Sequence, residues 1–353
     1  MSRSLIKSNI RIFENLDRYC SSRGSPLANA GTPRWIASDR SHRDFMIHAN
    51  LVEYVHLNSM RKIAVLEYHG RSVCCTVGFE NVPDNFLLSE IEVNASHLTI
   101  IFADLGLRPK VSPFAIKNII EISDKSSDPL YEGHSAEEIA RLFPTVRAFE
   151  VDLLTHGSLW KLFFQICIHE ASSSESWIEE ELATTLHVVS TLDENRIPYQ
   201  LLCQSSFDGN PQSFFLALYR CLEALYAFSS AKKLTSSLHL QISWIEVATA
   251  LEDDLGWHPK EDISLGQLLR TADNLDLTRI ISLLNGGDTL TNRSDIAMNA
   301  ARRIYKLRNS IVHFRSMNGQ PDFRTYEWNK ICQCMANIVC YVYHDVFGLG
   351  GSR

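Results

Sequence analysis

The stretch Ala300-Ala301-Arg302-Arg303-Ile304-Tyr305-Lys306-Leu307-Arg308-Asn309-Ser310-Ile311-Val312-His313-Phe314-Arg315 decides how the second half of this chain folds. At 3.6 residues per turn, Ala297, Ala300, Ile304, Leu307, Ile311 and Phe314 fall on one apolar stripe. Such a stripe is stable only against other apolar surface, so the segment is predicted to be a helix over about 294–315 with one face in a core. Arg302, Lys306, Asn309 and His313 lie roughly opposite, and Arg308 projects at the edge of the stripe, about 140° around the axis from His313. Because neither His313 nor Arg308 belongs to the stripe, replacing either is expected to leave stability nearly unchanged.

The segments on either side repeat the helical period. Phe214, Leu218, Cys221, Leu222, Leu225 and Phe228 follow Asn210-Pro211, an N-cap residue and a first-turn proline. Further helices are predicted over about 238–255 and 265–284, and Trp328, Ile331, Met335, Ile338, Val342 and Val346 stripe a last one. Asn285-Gly286-Gly287-Asp288 and Asn318-Gly319-Gln320-Pro321 break the chain between them. Residues 211–347 therefore read as an all-α bundle.

Toward the N-terminus the period changes. Ile63-Ala64-Val65-Leu66-Glu67-Tyr68, Ser72-Val73-Cys74-Cys75-Thr76-Val77 and His97-Leu98-Thr99-Ile100-Ile101-Phe102 are short runs of strand-forming residues, and His69-Gly70-Arg71 suits a hairpin loop. Strands are also predicted at 148–154 and 162–169, followed by a helix to about 192 capped by Ser176-x-x-Glu179. Residues 1–43, with Ser21-Ser22-Arg23-Gly24-Ser25-Pro26 and Ala30-Gly31-Thr32-Pro33, read as an irregular lead-in that adds little core. The expected organisation is α+β: the lead-in, a mixed sheet-and-helix domain over 44–205, a turn-rich boundary over 204–211, and the bundle.

Composition narrows the class. With 353 residues, 45% hydrophobic and 21% charged, the chain is neither disordered nor collagenous, and its length suits two or three domains, each able to bury its own core. No apolar run reaches the roughly 18 residues of a membrane span, and Met-Ser-Arg-Ser-Leu-Ile-Lys-Ser is too polar for a secretory leader, so a cytoplasmic place is expected. The nine cysteines are odd in number and sit mostly in apolar segments, as reduced core thiols do. Cys332-Gln-Cys334 is too closely spaced, and has no second pair, for structural zinc. No metal or cofactor is expected.

Net charge is −7, but residues 211–353 carry 15 Lys and Arg against 14 Asp and Glu, leaving the excess acid in the first part of the chain. No acidic residue falls between Asp295 and Asp322, where Arg302, Arg303, Lys306, Arg308 and Arg315 all lie. The helical part alone has the charge to face RNA.

Arg308-Asn309-Ser310-Ile311-Val312-His313 resembles the R-x(4–6)-H motif, with a polar residue after the Arg, of the HEPN superfamily of helical ribonuclease domains. Upstream, 214–226 is similar to the first long helix of such domains, which tends to carry an acidic residue among aromatics; here that residue is Glu223. The resemblance covers 211–347 and leaves the first 200 residues uncovered. It implies an endoribonuclease of the kind found in bacterial toxin–antitoxin and anti-phage abortive-infection systems. It also implies a homodimer in which two copies of the motif line one cleft.

The residue types fit that chemistry. Cleavage without a metal needs the 2′-hydroxyl deprotonated, the leaving 5′-oxygen protonated, and the added charge on phosphorus stabilised. An imidazole, with an ordinary pKa of about 6.5, can make either transfer, which is the role of His313. The guanidinium fork of Arg308 fits phosphoryl oxygens, and Asn309, one turn before His313, is placed to orient the imidazole or hold a phosphate oxygen. Arg302 and Lys306 are candidate RNA-phosphate contacts. Glu223 can pair with Arg220 or reach Arg308 in a supporting role. Elsewhere, His169-Glu170 lacks the second His of a zinc-protease motif and no phosphate-binding glycine loop occurs. The first domain is thus left as a sensor or regulatory element. An antitoxin, a nucleotidyltransferase or a phage-derived trigger are the partners to expect. The other reading is a non-catalytic module of the same fold that binds RNA, a nucleotide or a partner protein.

Overall fold

The computed structural model describes residues 3–29, 33–83, 88–122, 131–151, 159–173, 176–192, 196–284, 293–313 and 322–348. The fold is α+β, and the chain divides into two compact units, 1–166 and 167–353.

The first unit runs α1 (Leu5–Ser21), α2 (Arg40–His48), β1 (Asn50–His56), β2 (Lys62–Tyr68), β3 (Arg71–Val77), β4 (Leu88–Ile91), α3 (Ala95–Asp104), α4 (Pro113–Ile122), α5 (Ala136–Ala140) and β5 (Val146–Val151). A further helix, α6 (Leu159–Ser173), crosses the division between the units. The strands form one antiparallel sheet in the order β1-β2-β3-β5-β4. The predicted hairpin is present: Tyr68 pairs with Arg71 around His69 and Gly70, both at positive φ (49° and 76°), as the twist of a two-residue loop requires. Ala64, Leu66, Cys75, Val77 and Ala148 belong to a core shared with helical residues. Ile63, Val65, Cys74 and Phe149, the alternate positions, are buried too, which is why these strands read as unbroken apolar runs.

Three expectations for this half are corrected. The lead-in is not irregular over its whole length: α1 occupies 17 residues of it, capped by Ser4, whose side chain accepts from the Lys7 amide. Its Ile12, Phe13, Leu16 and Cys20 lie in the main core, a helical stripe outweighed in the sequence by the breakers that follow it. The run 97–102 is helical, within α3. Asn94 accepts from the Ser96 and His97 amides while His97 Nδ1 accepts from the Asn94 amide, and this reciprocal cap overrides the β-branched composition. Residues 162–169 lie in α6, not in a strand. Both helices are buried nearly all round, so no polar face marks their period. The strand expected over 148–154 is β5 as far as Val151, and 152–154 lie outside the described residues.

The second unit is helical: α7 (Glu180–Val189), α8 (Tyr199–Ser206), α9 (Pro211–Glu223), α10 (Phe228–Ser237), α11 (Trp244–Leu255), α12 (Glu261–Leu268), α13 (Asn274–Leu283), α14 (Arg293–Val312) and α15 (Trp328–Phe347). The turn-rich stretch expected to divide the chain lies inside this unit, because α7 packs along α15 and α8 against α9. The helix expected over 265–284 is split into α12 and α13, the latter capped by Asp273, and the one expected over 238–255 begins only at Trp244, where Ser243 caps α11 in a box with Glu246. The two predicted breaks at 285–288 and 318–321 lie outside the described residues.

All nine cysteines are free and buried, as expected of core thiols. Burial pushes Cys75, Cys334 and Cys340 up to about 12, so none of these three offers a thiolate. Among the described residues no helix is long and apolar enough to cross a membrane.

Candidate active site

α14 is held on the bundle by the predicted stripe: Ala297, Ala300, Ile304 and Leu307 are buried, with Ala301 beside them. It packs against α9, α12 and α13. The approach to α12 is close, since a Cβ added at Gly266 would sit 2.2 Å from Met298 Sδ. Packing on one side leaves the other side open. Arg302 and Lys306 are exposed and have no hydrogen-bond or ion-pair partner among the described residues. α14 ends at Val312, so His313 stands just past the last helical residue, exposed, its amide donating to the Asn309 carbonyl at 2.9 Å. Phe314 and Arg315, expected in the same helix, lie outside the described residues.

Arg308 is turned the other way. Its side chain is 16% exposed, Nη2 lies 3.3 Å from Glu223 Oε1 on α9, and Nη1 donates to Asn309 Oδ1 at 2.9 Å. The guanidinium also stands 5.7 Å from the ring centre of Tyr219. Glu223, itself 15% exposed, meets Arg220 Nη1 at 2.9 Å through its other oxygen, so one carboxylate joins both arginines. The two roles considered for Glu223 are thus filled together.

This arrangement changes two expectations. The oxygen of Asn309 serves Arg308, not an imidazole, leaving the amide NH2 of Asn309 as its remaining donor group. Arg308 lies outside the apolar stripe but not outside the packed structure, and its loss leaves a largely buried carboxylate with one cation fewer.

Behind the arginine lies a pair of phenols that the sequence did not single out. Tyr226 donates its hydroxyl to that of Tyr219 at 2.7 Å. Burial, with Glu223 and Glu261 adding to it, pushes Tyr219 up to about 12, and burial raises Tyr226 as well. Both phenols stay neutral at physiological pH and cannot serve as bases there. The signal was present in the sequence: Tyr219, Glu223 and Tyr226 recur at helical spacing, but the partner helix that makes them one cluster could not be read from it.

The geometry therefore separates the two principal side chains. One helix carries a fixed guanidinium on its inner edge and, past its end, an exposed imidazole, with two cations on the exposed face that are unpaired among the described residues. No family model matches the chain, and neither a curated protein nor a solved structure matches it.

Proposed function

We propose that the helical unit is an endoribonuclease that works without a metal. His313 moves a proton at the reacting oxygens and Arg308 holds the phosphoryl oxygens. In the reaction the RNA 2′-oxygen, losing its proton, bonds to phosphorus. The bond from phosphorus to the 5′-oxygen breaks and that oxygen takes up a proton, leaving a 2′,3′-cyclic phosphate and a 5′-hydroxyl. The supporting observation is the placement of Arg308, fixed by Glu223 and Asn309 at the edge of a face on which the side chains of Arg302, Lys306 and His313 have no hydrogen-bond or ion-pair partner among the described residues. Preorganised donors of this kind stabilise charge that develops in a transition state.

The same proposal includes a second copy of the chain. One histidine supplies one proton transfer and the reaction needs two, so the full set comes from two motif helices, with one His313 as base and the other as acid. Light scattering on the full chain is expected to give twice the monomer mass under conditions where RNA is cut; activity from a strict monomer contradicts the shared cleft. The cellular role that suits such an enzyme is growth arrest in a defence or toxin system in the cytoplasm. There the first unit, or a separate antitoxin, nucleotidyltransferase or phage-derived trigger, would govern it.

One observation favours a binding module instead: two donor positions of Arg308 are already committed to Glu223 and Asn309. The deciding experiment incubates single-stranded RNA with wild type and His313→Ala in EDTA. Cleavage by wild type, and a loss of at least about a hundredfold in the variant, supports the nuclease. RNA bound but left intact by both supports the binding module.

A further inference from the structure

We infer that Tyr326 and Trp328 form a stacking platform for a base of the single-stranded RNA substrate, set a short distance along the strand from the cleaved bond. The inference rests on the nuclease reading above, and concerns which residues grip the strand beside the cut.

Residues 323–328, which lead into the first turn of α15, carry three aromatic rings, and none is fully buried. Tyr326 and Trp328 are stacked, 5.6 Å between ring centres with 23° between planes, and Phe323 stands 6.0 and 6.3 Å from them. The polar edge of Trp328 is satisfied, its Nε1 donating to the Phe323 carbonyl at 2.9 Å, so the indole is locked in place. Trp328 also meets Phe215 of α9 at 6.2 Å. Among the described residues Tyr326 has ring neighbours in Phe323 and Trp328 alone, and it is half-buried. A half-exposed ring backed by a second, fixed ring is what an unpaired base stacks on, since every base offers a π-face.

A series of contacts ties this cluster to the candidate site. Trp328 touches Phe215, Phe215 lies 6.5 Å from Tyr219, and Tyr219 carries the Arg308 guanidinium at 5.7 Å. Those steps keep the Trp328 ring within about 18 Å of the Arg308 guanidinium, and the Tyr326 ring, 5.6 Å further on, within about 24 Å. The local carboxylates do not oppose a phosphate chain, because Asp322 pairs with Arg324 at 3.1 Å and Glu327 with Lys330.

The test measures affinity of the full-length protein for a short fluorescein-labelled single-stranded RNA, by anisotropy, in a His313→Ala background that keeps the strand intact. Tyr326→Ala is expected to weaken binding about fivefold to a hundredfold, whereas Tyr326→Phe, which keeps the ring, binds as the parent does. The salt slope of Tyr326→Ala stays that of the parent, since no charge is lost, while Lys306→Ala flattens it. Tyr326→Leu, which keeps apolar volume, is expected to lose affinity like the alanine variant. Equal binding by all the Tyr326 variants, or equal loss in Tyr326→Ala and Tyr326→Phe, overturns the platform. Wild type that binds through Tyr326 without cutting overturns the nuclease and leaves the platform standing. Wild type that cuts with Tyr326 irrelevant does the reverse, and wild type that neither binds nor cuts overturns both.

Discussion

α3 and α14 are both helices, yet one hides every side of its central turns while the other shows a whole face to solvent. From Ala95 to Phe102 each residue of α3 is buried, including Ser96, His97 and Thr99. α14 buries Ala297, Ala300, Ala301, Ile304 and Leu307 and keeps Arg302 and Lys306 in water. Polar groups in α3 serve the backbone: Thr99 donates to the Ala95 carbonyl at 2.7 Å and His97 closes the N-terminal cap. On the open face of α14, Arg302 and Lys306 make no hydrogen bond or ion pair among the described residues. A side chain with no structural partner is available for a ligand, and the contrast marks the open face of α14 as the candidate site.

The largest effect that contrast predicts is on stability. Ile101→Ala in α3 should cost about 2–5 kcal/mol, because a fully buried side chain leaves a cavity. Arg302→Ala in α14 should stay within about 0.5 kcal/mol. Denaturant unfolding of full-length variants measures both, and comparable losses would erase the distinction between the two helices.

Second in size is a pH effect confined to the first unit. Burial, with His42 nearby, lowers His97 to about 4. The folded form thus binds a proton less readily than the unfolded chain, whose histidine titrates near 6.5. Stability from this group is full above pH 6.5 and is lost as pH falls to about 4, on the order of 3 kcal/mol in all. Hydrogen exchange on the full chain should show protection in α3 falling over that window while α14 holds steady; a parallel decline in both would mean that other groups dominate.

Arg308→Ala is intermediate. It should abolish cleavage and also lower stability by about 1–2 kcal/mol, since Glu223 keeps only Arg220. His313→Ala should leave stability within about 0.5 kcal/mol. A melt unchanged by Arg308→Ala would show that the pair to Glu223 adds nothing to the fold.

The same contrast explains what could be read in the sequence. α14 was legible because a half-buried helix writes its period in alternating polarity, and its stripe and open face are where the spacing placed them. The β2–β3 hairpin was legible from His69-Gly70. α3 and α6 were not, because burial on all sides removes the alternation and leaves β-branched composition as the only, misleading, signal. Within the candidate site, the identity of the exposed residues was readable, whereas the inward turn of Arg308 onto Glu223 depends on α9, a helix 85 residues away in sequence.

The most direct test of the central claim is the chemistry of the cut ends. Full-length protein in EDTA is given an RNA strand, and a matched strand carrying a single 2′-deoxy sugar on the 5′ side of the cleaved bond, and the products are read by mass spectrometry. The expected result is a 2′,3′-cyclic phosphate and a 5′-hydroxyl from the first strand, and no cut at that bond in the second. Cleavage of the deoxy-substituted bond, or products that end in a 5′-phosphate, would contradict it.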